Sequence, residues 1–308
     1  VLGRLNPERL LGVERPVTLD HVRGIVAEKV GKRLGLDAEA ASAAILRIAN
    51  DRMAGAIRLV SLARGRDPRD FALFAFGGAG PLHATALARE LGIPTVLVPA
   101  RPGITNALGC VVADVRHDYV RTVNKPLSAL DDATIAAIFA EQAAEGRSMI
   151  AKEGVPVRAL NRVLSADMQF QGQSHILSVD VEHAEIGVAG LHKAFAAAYW
   201  RRFGIELSEI PPVLVNLHTA VIGARPEISL AALAGGERAP TLAAAQAGER
   251  RVWFADGWHR TPIYAREKLP IDARFEGPAI LEQLDCTIVV EPGDRVRQDK
   301  LGNLLIDV

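Results

Sequence analysis

The sequence predicts an α/β part followed by a mainly β part, on two observations. The continuously apolar run Phe71-Ala-Leu-Phe-Ala-Phe76 meets Gly77-Gly78-Ala79-Gly80-Pro81, then a helical stretch to Leu91, the turn Gly92-Ile-Pro94, and Thr95-Val-Leu-Val98. Strand, glycine turn, helix, strand is one βαβ unit, which ordinarily belongs to a parallel sheet with a right-handed crossover. Beyond residue 125 the texture changes to short β-branched runs separated by Gly, Pro and Asp, the pattern of strands joined by turns. The expected division is therefore an α/β part over residues 1–125 and a β-rich part, with one or two helices, over residues 126–308.

Taken in order, residues 5–20 carry Pro7, Gly12 and Pro16 and read as an irregular approach. A helix is expected from Thr18 or Asp20 to about Leu34, ended near Gly35. The longest helical pattern runs from Asp37 to Arg64, with Ala41, Ile45, Ile48, Met53, Ile57 and Val60 forming an apolar stripe and Gly65 placed as its C-cap. Phe71–Phe76 suits a strand buried on both faces. Residues 99–106 read as a loop, 106–112 as a short helix, 116–122 as an extended run and 131–153 as an Ala-rich amphipathic helix. Strands follow over 163–170, 174–179, 213–220, 251–254, 261–264 and 287–290, interrupted by a helix over 190–203. The stretch from Gly235-Gly236 to Gly248 reads as a surface loop or linker. No internal repeat is evident.

Composition narrows the function classes. Lys plus Arg is 36 and Asp plus Glu is 36, so the zero formal charge argues against a broad cationic face for nucleic acid. The least charged stretches, 92–100 and 211–217, are too short to cross a bilayer. Cys110 and Cys286 stand far apart without C-x-x-C spacing and read as two buried thiols. Absence of a secretory pattern points to the cytoplasm, and the non-Met start on Val1-Leu-Gly-Arg-Leu reads as a chain with something upstream.

Gly77, Gly78 and Gly80 lie between a strand and a helix that Pro81 is suited to start. Glycines let the chain turn sharply and let a ligand approach the backbone, and free amides at a helix start favour an anion. The spacing is neither G-x-G-x-x-G nor G-x-x-x-x-G-K-[ST], so phosphate binding and a tight structural turn stay equally open. His83 falls in the first turn of that helix, facing a ligand or merely capping. Asp114, His117 and Asp118 are close in sequence; a metal and a solvated loop both explain them. Gln169-Phe-Gln-Gly-Gln173 with Ser174-His175 is polar within strand-like sequence, where Gly172 admits a bend. Asn216 and His218 fall on one face of a strand. No H-E-x-x-H or G-x-S-x-G is present, so no complete catalytic centre is nominated.

The run Phe71 to Ala84 resembles the signature of the hydantoinase/oxoprolinase family, which includes 5-oxoprolinases, N-methylhydantoinase A subunits and ketone carboxylase subunits. The resemblance extends through Val1-Leu-Gly-Arg-Leu-Asn-Pro7, Ile48 to Arg58, Pro102-Gly-Ile-Thr-Asn-Ala-Leu-Gly109, Gln169 to Gln173, Arg201-Arg-Phe-Gly204, Phe275 to Gln283, Glu291-Pro-Gly-Asp294 and Gly302-Asn-Leu304, covering essentially the whole chain. It implies the second lobe of an actin-like (ribonuclease H-like) ATPase core followed by a β-rich C-terminal domain. ATP and Mg²⁺ are the implied cofactors, with Gly77, Gly78, Gly80 and His83 on the nucleotide side. The implied reaction is ATP-dependent hydrolysis of a hydantoin- or 5-oxoproline-type cyclic amide, through phosphate activation of the carbonyl. The implied partners are an upstream N-terminal lobe and a B-type subunit. A ketone carboxylase subunit and a non-catalytic scaffold are the alternatives. The acidic glycine-rich phosphate loop of the first lobe has no match in 1–308, so no turnover is expected of this polypeptide alone. Gln169 and Phe170 stand where the family pattern has Arg and Tyr, which puts typical specificity in doubt.

Overall fold

Several helix starts in this protein are set by short polar side chains that accept from otherwise free amides. In the computed structural model, which describes residues 1–7, 18–227, 229 and 237–308, Thr18 accepts from His21 N at 3.3 Å and opens α1 (Leu19–Val26). A π-helical turn at Ala27–Gly31 leads into α2 (Lys32–Leu34), which stops where Gly35 adopts a left-handed φ of 68°. Asp37 accepts from Ala40 N at 2.7 Å and opens α3 (Ala38–Leu62). There follow β1 (Leu73–Phe74), α4 (Gly80–Leu91), β2 (Thr95–Val98) and α5 (Thr105–Val112). Next come β3 (Val115–Pro126), α6 (Asp132–Lys152), β4 (Ala159–Phe170), β5 (Leu177–Val181), α7 (Gly187–Phe203) and β6 (Pro212–Ala224). The chain closes with β7 (Gln246–Phe254), β8 (Gly257–Ala265), β9 (Arg274–Glu276), β10 (Ala279–Gln283), β11 (Cys286–Val290), β12 (Arg295–Gln298) and β13 (Leu304–Asp307). Most of the expected irregular approach over 5–20, and the Gly235-Gly236 part of the expected linker, lie outside the described residues. No helix among the described residues is long and apolar enough to cross a membrane.

Two compact units form, the first of them drawn from both ends of the chain. One joins Val1–Cys110 to Ser229–Val308; the other is Val111–Ile228. The reason is long-range pairing: β13 pairs antiparallel with β2, matching Leu304 to Val98 and Ile306 to Val96. The C-terminal strands thus complete the sheet that the βαβ unit begins. That sheet has the order β1-β2-β13-β12-β9, and only β1 and β2 are parallel in it. A second sheet in the same unit has the order β11-β10-β8-β7. Leu87 and Leu91 of α4 pack with Val96, Val98, Ile288, Val290, Leu304 and Ile306 in one buried cluster.

β1 departs from the expected doubly buried strand. It is short and, among the described residues, lies at the sheet edge with β2 as its sole neighbour in the ladder, and Phe71, Phe74 and Phe76 are exposed. Half of the stripe read on α3 is covered, since Ala41 is buried and Met53 and Ile57 pack against the core, while Ile45, Ile48 and Val60 are exposed. Cys110 also differs from expectation: α5 buries none of its residues and the thiol is exposed, whereas Cys286 is buried.

The unit Val111–Ile228 is an antiparallel sheet of order β3-β6-β4-β5. Period-two alternation sets its core: Leu164, Ala166, Met168 and Phe170 are buried while Ser165, Asp167 and Gln169 are half-exposed. The buried row packs with Ile135 and Phe139 of α6 and with Leu191, Phe195 and Tyr199 of α7. Phe170 meets Phe195 at 4.9 Å and Tyr199 edge-on at 4.8 Å between ring centroids, so each large side chain adds roughly 1.5–3 kcal/mol of burial.

Candidate functional site

The two parallel strands end side by side, and their outgoing loops touch. Ala75 N donates to Leu97 O at 2.9 Å, and just beyond the strand Gly77 N donates to Pro102 O at 2.8 Å. Gly77 has φ 80°, a left-handed conformation in which an L side chain is strained. Gly78, Ala79 and Gly80 are exposed, and α4 starts without any side-chain cap, with Pro81 in its first turn. Amides at an uncapped helix start, outside the carboxyl ends of parallel strands, are where open α/β sheets take anionic ligands.

The opposite wall comes from the turn between β10 and β11. A Cβ on Gly78 would stand 3.1 Å from Asp285 O, and one on Gly103 would overlap the Asp285 carboxylate. Gly78, Asn6, Glu267, Gln283, Asp285 and Thr287 line a cavity of about 620 Å³ here, large enough for a small-molecule ligand. Cys286 also lines it, but burial followed by the nearby Asp285 charge pushes its thiol up to about 12. At neutral pH it is a protonated thiol and a poor nucleophile.

His83 does not join that cavity. It turns toward α3, where its Nδ1 lies 2.8 Å from Asn50 Oδ1. Burial, reinforced by the Arg4 charge, holds its pKa below the ordinary histidine value. The ring is neutral at pH 7, with Nδ1 donating to the amide oxygen. Asn50, Arg4, Arg89 and Glu291 line a separate cavity of about 640 Å³. There Arg89 bridges Glu291 and Asp294, the latter at 2.5 Å.

Asp114, His117 and Asp118 are not brought together. Asp114 accepts from Arg225 N at 2.8 Å, His117 Nε2 lies 2.7 Å from Glu153 Oε1, and Asp118 takes a bidentate pair from Arg116 at 2.8 and 2.9 Å. Successive residues of β3 face opposite sides of the sheet, which separates His117 from Asp118. Among the described residues no group of three or more His, Cys, Asp or Glu is placed to hold a metal.

Gln171-Gly172 makes the turn between β4 and β5, with Gly172 at φ 81°, and Gln173 Oε1 accepts from Tyr199 Oη at 3.1 Å. Asn216 and His218 do share a face, and both reach Asp167: Asn216 Nδ2 at 3.0 Å and His218 Nε2 at 2.7 Å from the same Oδ2. Thr122 Oγ1 donates to Asn216 Oδ1 at 2.9 Å, extending the chain across β3, β6 and β4. Burial raises the Asp167 pKa, but hydrogen bonds from Asn216, His218 and Ser178 outweigh it and leave the carboxyl below its ordinary value. Asp167 was not singled out in the sequence; its place in the polar half of the β4 alternation was the available signal.

Residues 1–119 match the family model described as hydantoinase/oxoprolinase, and residues 127–305 match the hydantoinase/oxoprolinase C-terminal domain. The chain belongs to the hydantoinase/oxoprolinase family. Caprolactamase subunit alpha of Pseudomonas jessenii is 31% identical over 97% of this chain and 44% of its own length. 5-Oxoprolinase 1 of Arabidopsis thaliana is 28% identical over 85% of this chain and 20% of its own. The crystal structure of ATP-dependent caprolactamase from Pseudomonas jessenii superposes with TM-score 0.74 at 28% identity, over 99% of this chain and 45% of that one. Nucleotide-free acetone carboxylase shares the fold, with TM-score 0.78 at 24% identity, over 100% of this chain and 45% of that one. The expected fold class, an actin-like α/β lobe with a β-rich part, is thus the fold of these hydantoinase/oxoprolinase family members. The chain spans less than half the length of these relatives.

Proposed function

We propose that this chain is the C-terminal half of the ATP-binding subunit of an enzyme that hydrolyses a cyclic amide of the hydantoin or 5-oxoproline type. The observation that carries the reading is the exposed Gly77–Gly80 turn at the uncapped start of α4, facing a cavity of about 620 Å³, in a chain similar to named lactam-ring hydrolases. ATP, when bound, supplies the phosphoryl group that activates an otherwise inert amide carbonyl. The residues present fit the phosphate end of a nucleotide: a turn without side chains admits close approach, and the positive end of α4 favours negative charge. The Asp285 carboxylate on the far wall limits how far an anion penetrates. Mg²⁺ would have to be held largely by the nucleotide and by residues beyond the described ones, because no carboxylate cluster is assembled among the described residues. His83, kept neutral and tied to Asn50, orients the start of α4 rather than touching a ligand in the cavity.

The proposed partners are a first lobe that carries the phosphate loop and a B-type subunit. Several relatives are named as subunits, among them caprolactamase subunit alpha and the acetone carboxylase beta subunit. A ketone carboxylase is the second reading, favoured by the 28% identity over 100% of this chain to the acetophenone carboxylase gamma subunit of Aromatoleum aromaticum. ATP turnover by the two-lobed protein with its B subunit separates them. Stimulation by 5-oxoproline or a hydantoin without bicarbonate supports the amide hydrolase; stimulation solely by a ketone with bicarbonate moves the assignment to a carboxylase. Absence of turnover in every mixture would leave a scaffold.

A further inference from the structure

Two parallel strands of the second sheet end beside the loop that follows β2. β10 pairs with β8 in a register that matches Glu282 to Ala265, so the next residues, Gln283 and Arg266, leave the ladder side by side. Both reach that loop. Arg266 Nη2 donates to Pro99 O at 3.2 Å and to Gly302 O at 2.7 Å, and Gln283 Nε2 donates to Ala100 O at 3.2 Å. Ala100 N in turn donates to Asn303 Oδ1 at 3.0 Å. Two residues further on, Pro102 O accepts from Gly77 N at 2.8 Å. The loop is thus tied to side chains at one end and to the glycine turn at the other.

Each of the two side chains keeps one buried polar atom without a partner among the described residues: Arg266 Nη1, a donor, and Gln283 Oε1, an acceptor. Turning the Gln283 amide over does not help, because Ala100 O then loses its donor. Buried groups of this kind are normally paired, and ordered water is the usual partner where protein atoms do not reach. Arg266 and Gln283 line one small cavity of about 10 Å³, close to the least space that holds a single water and too small for a larger ligand. A water there accepts from Nη1 and donates to Oε1, which satisfies both atoms at once.

We infer that one buried water joins Arg266 Nη1 to Gln283 Oε1, and that this clamp makes Arg266 and Gln283 positioning residues of the glycine turn. They act through the loop after β2: holding Pro99 O and Ala100 O sets the place of Pro102 O, the acceptor for the amide of Gly77 at φ 80°. Gln283 also lines the larger cavity beside the turn, so the clamp lies directly behind the candidate site. Its bearing on ligand binding rests on the proposed function; its geometry does not.

Hydrogen exchange of the Gly77 amide reads the clamp without any nucleotide, since that amide exchanges when its bond to Pro102 O opens. Gln283→Leu removes both the donor to Ala100 O and the acceptor for the water. It should speed Gly77 exchange by about tenfold or more and leave the amides of β12 and β13 at the parent rate. Acceleration shared equally by all amides shows a general loss of stability, and an unchanged Gly77 rate shows a loop held by other contacts; either overturns the positioning role. A high-resolution crystal structure of the parent protein decides the water even where Gln283→Leu fails to fold. One water peak within hydrogen-bond distance of both Arg266 Nη1 and Gln283 Oε1 is expected, and a dry cavity or direct contact between the two side chains overturns the clamp. Failure of the protein to bind ATP would sink the proposed function and leave both of these measurements unaltered.

Discussion

Alanine at Gly80 and alanine at Gly77 perturb the same turn with opposite expected effects on stability. Gly80 begins α4 with an ordinary negative φ, and a Cβ there meets nothing within 4 Å. Gly80→Ala removes the conformational freedom of glycine in the unfolded chain and should stabilise by roughly 0.5–1 kcal/mol. Gly77 also has open space around its Cβ position, but its φ is 80°. Gly77→Ala should cost about 1–2 kcal/mol from the left-handed conformation alone. Urea unfolding of the two variants, read as midpoints at a constant slope, measures that difference directly. Nucleotide affinity should not follow stability. If phosphate approaches the backbone of this turn, a methyl group at either position weakens ATP binding by about tenfold, roughly 1.4 kcal/mol, in the two-lobed protein. A Gly80→Ala protein that gains stability and binds ATP like the parent would refute the phosphate-cradle reading and leave a structural turn.

Other outcomes follow from the packing and the ionisable groups. Burial holds the Asp294 carboxyl above its ordinary value although Arg89 opposes the shift. The folded state therefore binds that proton more tightly, and stability falls as pH rises from the unfolded value near 3.8 through the folded one. Asp294→Asn should remove this component, seen as a flatter midpoint profile across the acidic range. His83 has a lowered pKa, so the unfolded chain takes up its proton first and stability falls as pH drops below about 6.5. His83→Gln should lessen that loss between pH 7.5 and 5, and an unchanged slope would show that His83 is not its source. Phe195, 1% exposed and packed on Phe170 and Tyr199, should cost about 3–5 kcal/mol when cut to alanine, measured by urea unfolding. Gly146→Ala drives a methyl from α6 into Val221 of β6 and should cost roughly 1–3 kcal/mol by overpacking, with a lowered thermal midpoint.

Much of the local structure was legible because it is dictated locally. Thr18 and Asp37 cap helices through their own side chains, Gly35 and Gly92 end helices in left-handed conformations, and Leu164 to Phe170 alternate as a one-sided strand must. The Gly77–Gly80 turn and the family resemblance were likewise carried by contiguous residues. The return of the C-terminal strands to the first sheet was not recoverable, because it depends on β13 pairing with β2 from more than two hundred residues later in the chain. The strand Phe71–Phe76 looked doubly buried because apolarity alone does not reveal which side of a sheet lacks a neighbour.

At the candidate site the sequence determined the glycines, the helix start and the chemistry they permit. Tertiary structure decided their company: it set Asp285 against Gly78 and Gly103, turned His83 away toward Asn50, and dispersed Asp114, His117 and Asp118 among Arg225, Glu153 and Arg116. It also joined Asp167 to His218 across β4 and β6, and buried Arg266 among other arginines. Short-range preferences are written in neighbouring residues, whereas burial, charge pairing and cavity walls arise only when distant segments meet, and so they belonged to the fold.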